Sequence, residues 1–208
     1  MVLKLDKKSS RRNTTTSSAS SLVRCVHDMY QLGLTSSVSG NHSIRYRNNS
    51  MLITPSAVPR YNLKVSHLVR VDLQNAIIYG RIKPSIEWQM HRRIYNSNSE
   101  VGAIVHTHSP FTLGVAISSG FRQVIEEAKL VLGPPSIIKN YPSGSIQLAR
   151  EVAGIFGRTK SKAVIIRNHG VVAIGRNIDD ARAVVESLEE WSKILTVSEI
   201  FGGPKYYL

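Results

Sequence analysis

Several β-rich runs of this chain follow one another through links of only a few residues, with helical patterns between and after them. His42–Arg47 and Met51–Ile53 read as a hairpin around Asn48-Asn49-Ser50, and Leu68–Asp72 and Ala76–Tyr79 as two further strands. Val101–His106 is a fifth strand, and Ala163–Ile166 and Val171–Ile174 flank the short corner Asn168-His169-Gly170. Leu22, Val26, Met29 and Tyr30 share one helical face between a cap at Ser20 or Ser21 and a stop at Gly33. Pro84-Ser85 opens a second helix carrying Ile86, Met90 and Ile94, and Ser109-Pro110 opens a third. Ser145 starts another through Leu148, Val152 and Phe156. The last runs from about Ile178 to Val197, with Ala181, Val184, Leu188, Trp191 and Leu195 on one face and Gly202-Gly203 at its end. This mixture is satisfied by one α/β layered domain with a partly antiparallel sheet.

Length and composition bound the rest. At 208 residues, 42% hydrophobic and 20% charged, the chain suits one domain with a proper core. No apolar run approaches the roughly 18 residues needed to span a bilayer. Met1–Lys8 holds no apolar signal region, so a cytoplasmic location is the expectation. The single Cys25 excludes an intrachain disulfide and a Cys-rich zinc cluster. Nine Ser or Thr within residues 9–21 predict a disordered basic tail over residues 1–19, ahead of a domain over 20–208. The net charge of +13 favours an anionic partner. A phosphorylated metabolite, nucleic acid or an acidic surface would each suit it, and charge alone does not choose among them, although no nucleic-acid motif is present and only 7% of residues are aromatic.

The sharpest chemical feature is Val105-His106-Thr107-His108-Ser109. At a strand end residues i and i+2 point to one side, so both imidazoles face one point, as a divalent transition metal requires. His169, at the corner Arg167-Asn168-His169-Gly170-Val171, is the third candidate, with Gly170 supplying backbone freedom. Three histidines leave a coordination position open, the arrangement of catalytic rather than structural zinc. Glu87, in Lys83-Pro84-Ser85-Ile86-Glu87-Trp88, reads either as a first-turn acid favoured by the helix dipole or as a carboxylate beside the metal. Ser39-Gly40-Asn41 and Thr54-Pro55-Ser56-Ala57 are polar corners able to cradle an anion.

Ser39-Gly40-Asn41-His42-Ser43, Ile53-Thr54-Pro55-Ser56, Lys83-Pro84-Ser85-Ile86-Glu87, His106-Thr107-His108 and Asn168-His169-Gly170 stand in one order and spacing. That pattern resembles the class II aldolase/adducin family, closest to its L-fuculose-phosphate aldolase branch, from about Leu22 to Pro204. The resemblance implies a central, mostly antiparallel sheet flanked by helices and a homotetramer with sites at subunit boundaries. It implies Zn²⁺ held by His106, His108 and His169, with Glu87 as the proton-transfer group. It also implies a phosphate held by Gly40, Asn41, Ser56 and Ser85. The reaction implied is reversible cleavage of a ketose 1-phosphate into dihydroxyacetone phosphate and an aldehyde such as lactaldehyde. Related pentulose-phosphate epimerases and methylthioribulose-phosphate dehydratases use the same kind of site, and the adducin branch is non-catalytic. Three departures stand out. Ile86 replaces a second serine, Ala57 replaces a glycine, and Glu126-Glu127 stand where the aldolases carry a tyrosine, nearer the dehydratase pattern. Tyr206 and Tyr207 are further candidates by analogy with a C-terminal site tyrosine.

Overall fold

The computed structural model describes residues 7–208 apart from Asn48, Ser119 and Gln123, with the side chains of residues 7–16 and 127–129 also left aside. Eight strands form one sheet: β1 (Asn41–Tyr46), β2 (Ser50–Ile53), β3 (Val69–Asp72), β4 (Ile78–Tyr79), β5 (Ala103–Thr107), β6 (Ser136–Ile138), β7 (Ala163–Ile166) and β8 (Gly170–Gly175). Their order is β4-β3-β2-β1-β5-β8-β7-β6, antiparallel throughout except between β6 and β7. Six helices cover it: α1 (Lys7–Gln31), α2 (Trp88–Ser97), α3 (Pro110–Ser118), α4 (Glu126–Leu132), α5 (Ile146–Arg158) and α6 (Ile178–Ile200).

Alternation along the central strands explains the layering. Ala103 and Val105 of β5, with Val171 and Ala173 of β8, pack on one face against α1, α3 and α6. Ile104, Val172 and Ile174 point the other way, onto α2 and α5. Both faces of these strands are buried, which is why they read as continuous apolar runs rather than alternating ones. The period of two puts His106 on the Ile104 side, under α2.

Two expectations meet a different outcome, and two elements were not expected. α1 begins at Lys7, well before Ser20, so helix covers most of the stretch read as a disordered tail; residues 1–6 lie outside the described residues. Propagating a helix that packing already holds at Leu22 and Met29 is far cheaper than starting one. Helix α2 begins at Trp88, not at Pro84-Ser85, because Ser85 is tied to another segment described below. Strand β6 and helix α4 escaped notice, since a three-residue half-buried strand and a seven-residue helix carry little periodicity. No helix among the described residues is long and apolar enough to cross a membrane.

Candidate functional site

β5 and the β7–β8 hairpin end together, and their ends carry the three histidines. His106 pairs with Val172 and Thr107 with Val171 across β5 and β8, while β7 turns back through residues 167–169 with Ile166 opposite Gly170. The candidate ligand nitrogens of His106, His108 and His169 lie within 4.8 Å of one another, with ring centroids 5.1–5.4 Å apart. The reason for glycine at 170 differs from the backbone freedom read from sequence. Asn168 takes the left-handed turn position (φ 59°). Gly170 is needed for space, since a Cβ there would sit 2.4 Å from the Thr107 carbonyl and 2.8 Å from His106 Cε1.

Glu87 reaches this cluster through strand-like pairing ahead of α2. Ser56 N–H donates to the Lys83 carbonyl at 3.1 Å and Ser85 N–H to the Thr54 carbonyl at 3.0 Å, with Pro55 and Pro84 bridged between them. Glu87 then occupies the cap position of α2 without capping it. Its carboxylate turns inward instead, with Oε2 3.0 Å from His106 Nε2 and Oε1 3.4 Å from His169 Nε2. The dipole reading of Glu87 is therefore set aside. His106 Nδ1 donates to the Val171 carbonyl at 2.9 Å, which aims Nε2 at the cluster. Buried His106 Nε2, His169 Nδ1 and Glu87 Oε1 all lack hydrogen-bond partners. Three imidazoles whose ligand atoms lie within 4.8 Å of one another, beside a carboxylate oxygen left without a partner, fit a divalent transition metal.

Electrostatics agree with that fit. Burial, then repulsion from His106, lowers His108 to about 4, and the same causes lower His169. Burial also opposes charge on His106, but Glu87 beside it raises its proton affinity. Burial would raise the Glu87 carboxyl, yet His106 and the amide of Asn41 hold it well below the usual carboxylate range. A bound cation would replace the His106 proton in this role.

Behind Glu87 runs a buried polar chain that motif reading missed. Asn41 Nδ2 donates to Glu87 Oε2 at 2.9 Å, and Asn41 Oδ1 lies 2.7 Å from His91 Nε2. His91 Nδ1 lies 2.7 Å from Ser43 Oγ, itself 2.9 Å from the Tyr95 hydroxyl. An ionised Glu87 only accepts, so Asn41 donates to it and His91 Nε2 donates to Asn41 Oδ1. Burial lowers His91 to about 3, which leaves its Nδ1 an acceptor, so Ser43 donates to His91 and Tyr95 to Ser43. The signal available in sequence was the spacing of Glu87, His91 and Tyr95 along one helix face.

That depressed value has a testable sign. Between about pH 3 and its ordinary value near 6.5 the unfolded chain takes a proton at His91 that the folded chain refuses, so stability falls as pH drops. From pH 7 to 5 this one group is expected to remove roughly 2 kcal/mol. Urea unfolding of wild type and His91→Gln at both pH values checks it, through the difference between their pH slopes. Equal pH slopes would refute it.

The anion-cradling corners come together beside this chain. Ser56 Oγ donates to the Pro84 carbonyl at 2.7 Å, and Ser85 Oγ accepts from Glu87 N–H at 3.3 Å. Gly40 has φ 69°, and a Cβ there would lie 2.7 Å from the His106 carbonyl, so its loop packs directly on β5. Ala57, where the resemblance expects glycine, also adopts a positive φ of 59°. Buried Arg60, another residue that motif reading missed, ties both corners by donating to the carbonyls of Val38, Ser39, Gly40, Pro55 and Val58 at 2.6–3.4 Å. Among the remaining candidates, Glu126, Tyr206 and Tyr207 do not join the cluster within one chain. Glu126 is exposed at the start of α4, and the side chain of Glu127 lies outside the described residues. Tyr206 and Tyr207 are exposed near the C-terminus, with Tyr207 hydroxyl donating to the Pro204 carbonyl.

Residues 20–196 match the family model described as the class II aldolase and adducin N-terminal domain. An L-fuculose phosphate aldolase of Haemophilus influenzae is 34% identical over 164 residues, 78% of this chain and 74% of that protein. A 3-oxo-tetronate 4-phosphate decarboxylase of the same organism is 31% identical over 179 residues, 83% of this chain and 84% of that protein. Among solved structures, YgbL of Escherichia coli superposes with a TM-score of 0.84 at 22% identity, covering 94% of each chain, which shows a shared fold.

Proposed function

This chain belongs to the class II aldolase and adducin family, and we propose that it is a metal-dependent aldolase that reversibly cleaves a short ketose 1-phosphate, such as L-fuculose 1-phosphate, into dihydroxyacetone phosphate and an aldehyde. The observation that carries this reading is the convergence of His106, His108 and His169, with the buried carboxylate of Glu87 set against His106 and His169. Zn²⁺ suits three imidazoles, and when bound it supplies Lewis-acid stabilisation of the negative charge that C3–C4 cleavage leaves on the substrate. Retention of all three histidines and Glu87 argues against an adducin-like, non-catalytic role.

The chain's own groups do the remaining work. Glu87, kept ionised, takes the proton from C3 of dihydroxyacetone phosphate in the synthetic direction and returns it in the cleavage direction. Asn41, oriented by His91, holds Oε2 and leaves Oε1 free to move that proton. Ser56, Ser85 and the Gly40-Asn41 backbone receive the phosphate, with Arg60 fixing both loops from below. The positive net charge draws the anionic substrate in, subject to screening by salt. The direct test is exchange of the C3 proton of dihydroxyacetone phosphate in deuterated water, which needs only base and metal. Exchange that depends on added Zn²⁺ supports the reading; no exchange with metal bound contradicts it.

The proposed assembly is a homotetramer that completes each site with residues from a neighbour. Ile77, Ile78, Ile82, Ile200 and Phe201 are exposed on one chain, a supply of apolar surface for such contacts. Sedimentation is expected to give four 23.1 kDa chains, about 92 kDa. An active monomer at assay concentration would contradict this.

A further inference from the structure

Four arginines gather along a groove between α2 and α5 that the proposed reaction does not use. Arg92 and Arg93 of α2 and Arg150 and Arg158 of α5 line a cavity of about 490 Å³. Small residues make the groove possible. A Cβ at Gly157 would lie 3.4 Å from Ser97 Cβ across the gap, and one at Gly154 would lie 3.1 Å from Arg158 Nη2. Glycine therefore lets the helices approach and the guanidinium lie along the backbone.

These charges lack counter-charges. Among the described residues, the salt bridges of arginine are those of Arg122, Arg176 and Arg182, so no carboxylate pairs with any of the four. Arg92 donates to the Gln74 carbonyl, but the buried Nε atoms of Arg92 and Arg93 have no hydrogen-bond partner. Four like charges on one groove repel, and a buried guanidinium donor left unpaired costs free energy. Both costs disappear when an anion with several acceptor oxygens enters, and guanidinium forks match phosphate oxygens two at a time.

We propose that this groove binds a small anion bearing two or three linked phosphates, at a site separate from the histidine cluster. Four guanidinium forks from two helices line one groove, so linked phosphates can engage more of them at once than a single compact phosphate. No aromatic side chain lines the groove, so it offers no stacking platform for single-stranded nucleic acid. Helix α2 carries both Arg92 and Arg93 and the cap-position Glu87, so the occupant lies against the helix that sets the proposed base.

Calorimetric titration of the metal-loaded protein with inorganic tripolyphosphate tests this. The double variant Arg93→Gln/Arg150→Gln is expected to bind on the order of tenfold more weakly or worse, with Arg93→Lys intermediate. His169→Ala should keep the groove affinity, which separates this site from the proposed catalytic one. Unchanged affinity in the double variant would overturn the proposal. So would a single-stranded oligonucleotide binding through the same arginines more tightly than tripolyphosphate. Loss of the oligomer in the double variant, with no tripolyphosphate binding by wild type, would make the groove a subunit contact and overturn it too. Should the variant not fold, phenylglyoxal modification of wild type decides: tripolyphosphate should slow modification of Arg93 and Arg150, and no protection would refute the site.

Discussion

Glu87→Gln is expected to lower turnover about 10²–10⁴-fold while leaving KM and bound metal near wild type. The substitution keeps the side chain's size and its capacity to accept from Asn41 while removing the basic carboxylate. Exchange of the C3 proton of dihydroxyacetone phosphate should fall in parallel. Glu126 and Glu127 are the competing candidates, since they stand where family aldolases carry a tyrosine. The geometry favours Glu87, because its carboxylate lies against His106 and His169. Near wild-type exchange in Glu87→Gln, with loss in Glu126→Gln or Glu127→Gln, would move the base to α4 and the chemistry towards dehydration.

The second large effect concerns the metal. His169→Ala is expected to weaken metal binding by more than the roughly 10–100-fold typical of losing an outer-shell partner, and to abolish activity with it. Gly170→Ala should do much the same although every proposed ligand remains. Its Cβ would meet the Thr107 carbonyl and His106 Cε1 well inside contact distance, so the hairpin must shift away from β5. The comparison separates ligand identity from ligand placement. Equilibrium metal analysis of the two variants checks it, and full occupancy in Gly170→Ala would show that the close approach is dispensable.

Much of the site was legible from short motifs because its geometry is local. A His-x-His at a strand end and a third histidine in a tight hairpin converge whenever the two strands are neighbours, and β5 and β8 are. Layering and a partly antiparallel sheet followed from strands with short links, and the resemblance made that sheet mostly antiparallel. What was not legible depends on long-range pairing. Nothing local in Ser85 reveals that it bonds the Thr54 carbonyl, and that bond delays α2 and turns Glu87 inward. His91 and Tyr95 acquire their roles only because β1 brings Ser43 and Asn41 beneath them. Arg60 lies in no motif, yet it is buried among five carbonyls, where burial lowers it to about 10. Gly170 was the instructive misreading: the residue was right, but the cause is crowding by His106 rather than backbone conformation.

The central claim is that the histidine cluster and Glu87 together break a carbon–carbon bond in a phosphorylated ketose. The most direct measurement is ¹H and ³¹P NMR of L-fuculose 1-phosphate incubated with the Zn²⁺-loaded protein. Zn²⁺-dependent appearance of dihydroxyacetone phosphate and lactaldehyde in equal amounts, absent with Glu87→Gln, is the expected result. An untouched substrate beside a metal-loaded protein that instead epimerises a pentulose phosphate, dehydrates methylthioribulose phosphate or releases carbon dioxide from a 3-oxo acid phosphate would contradict it.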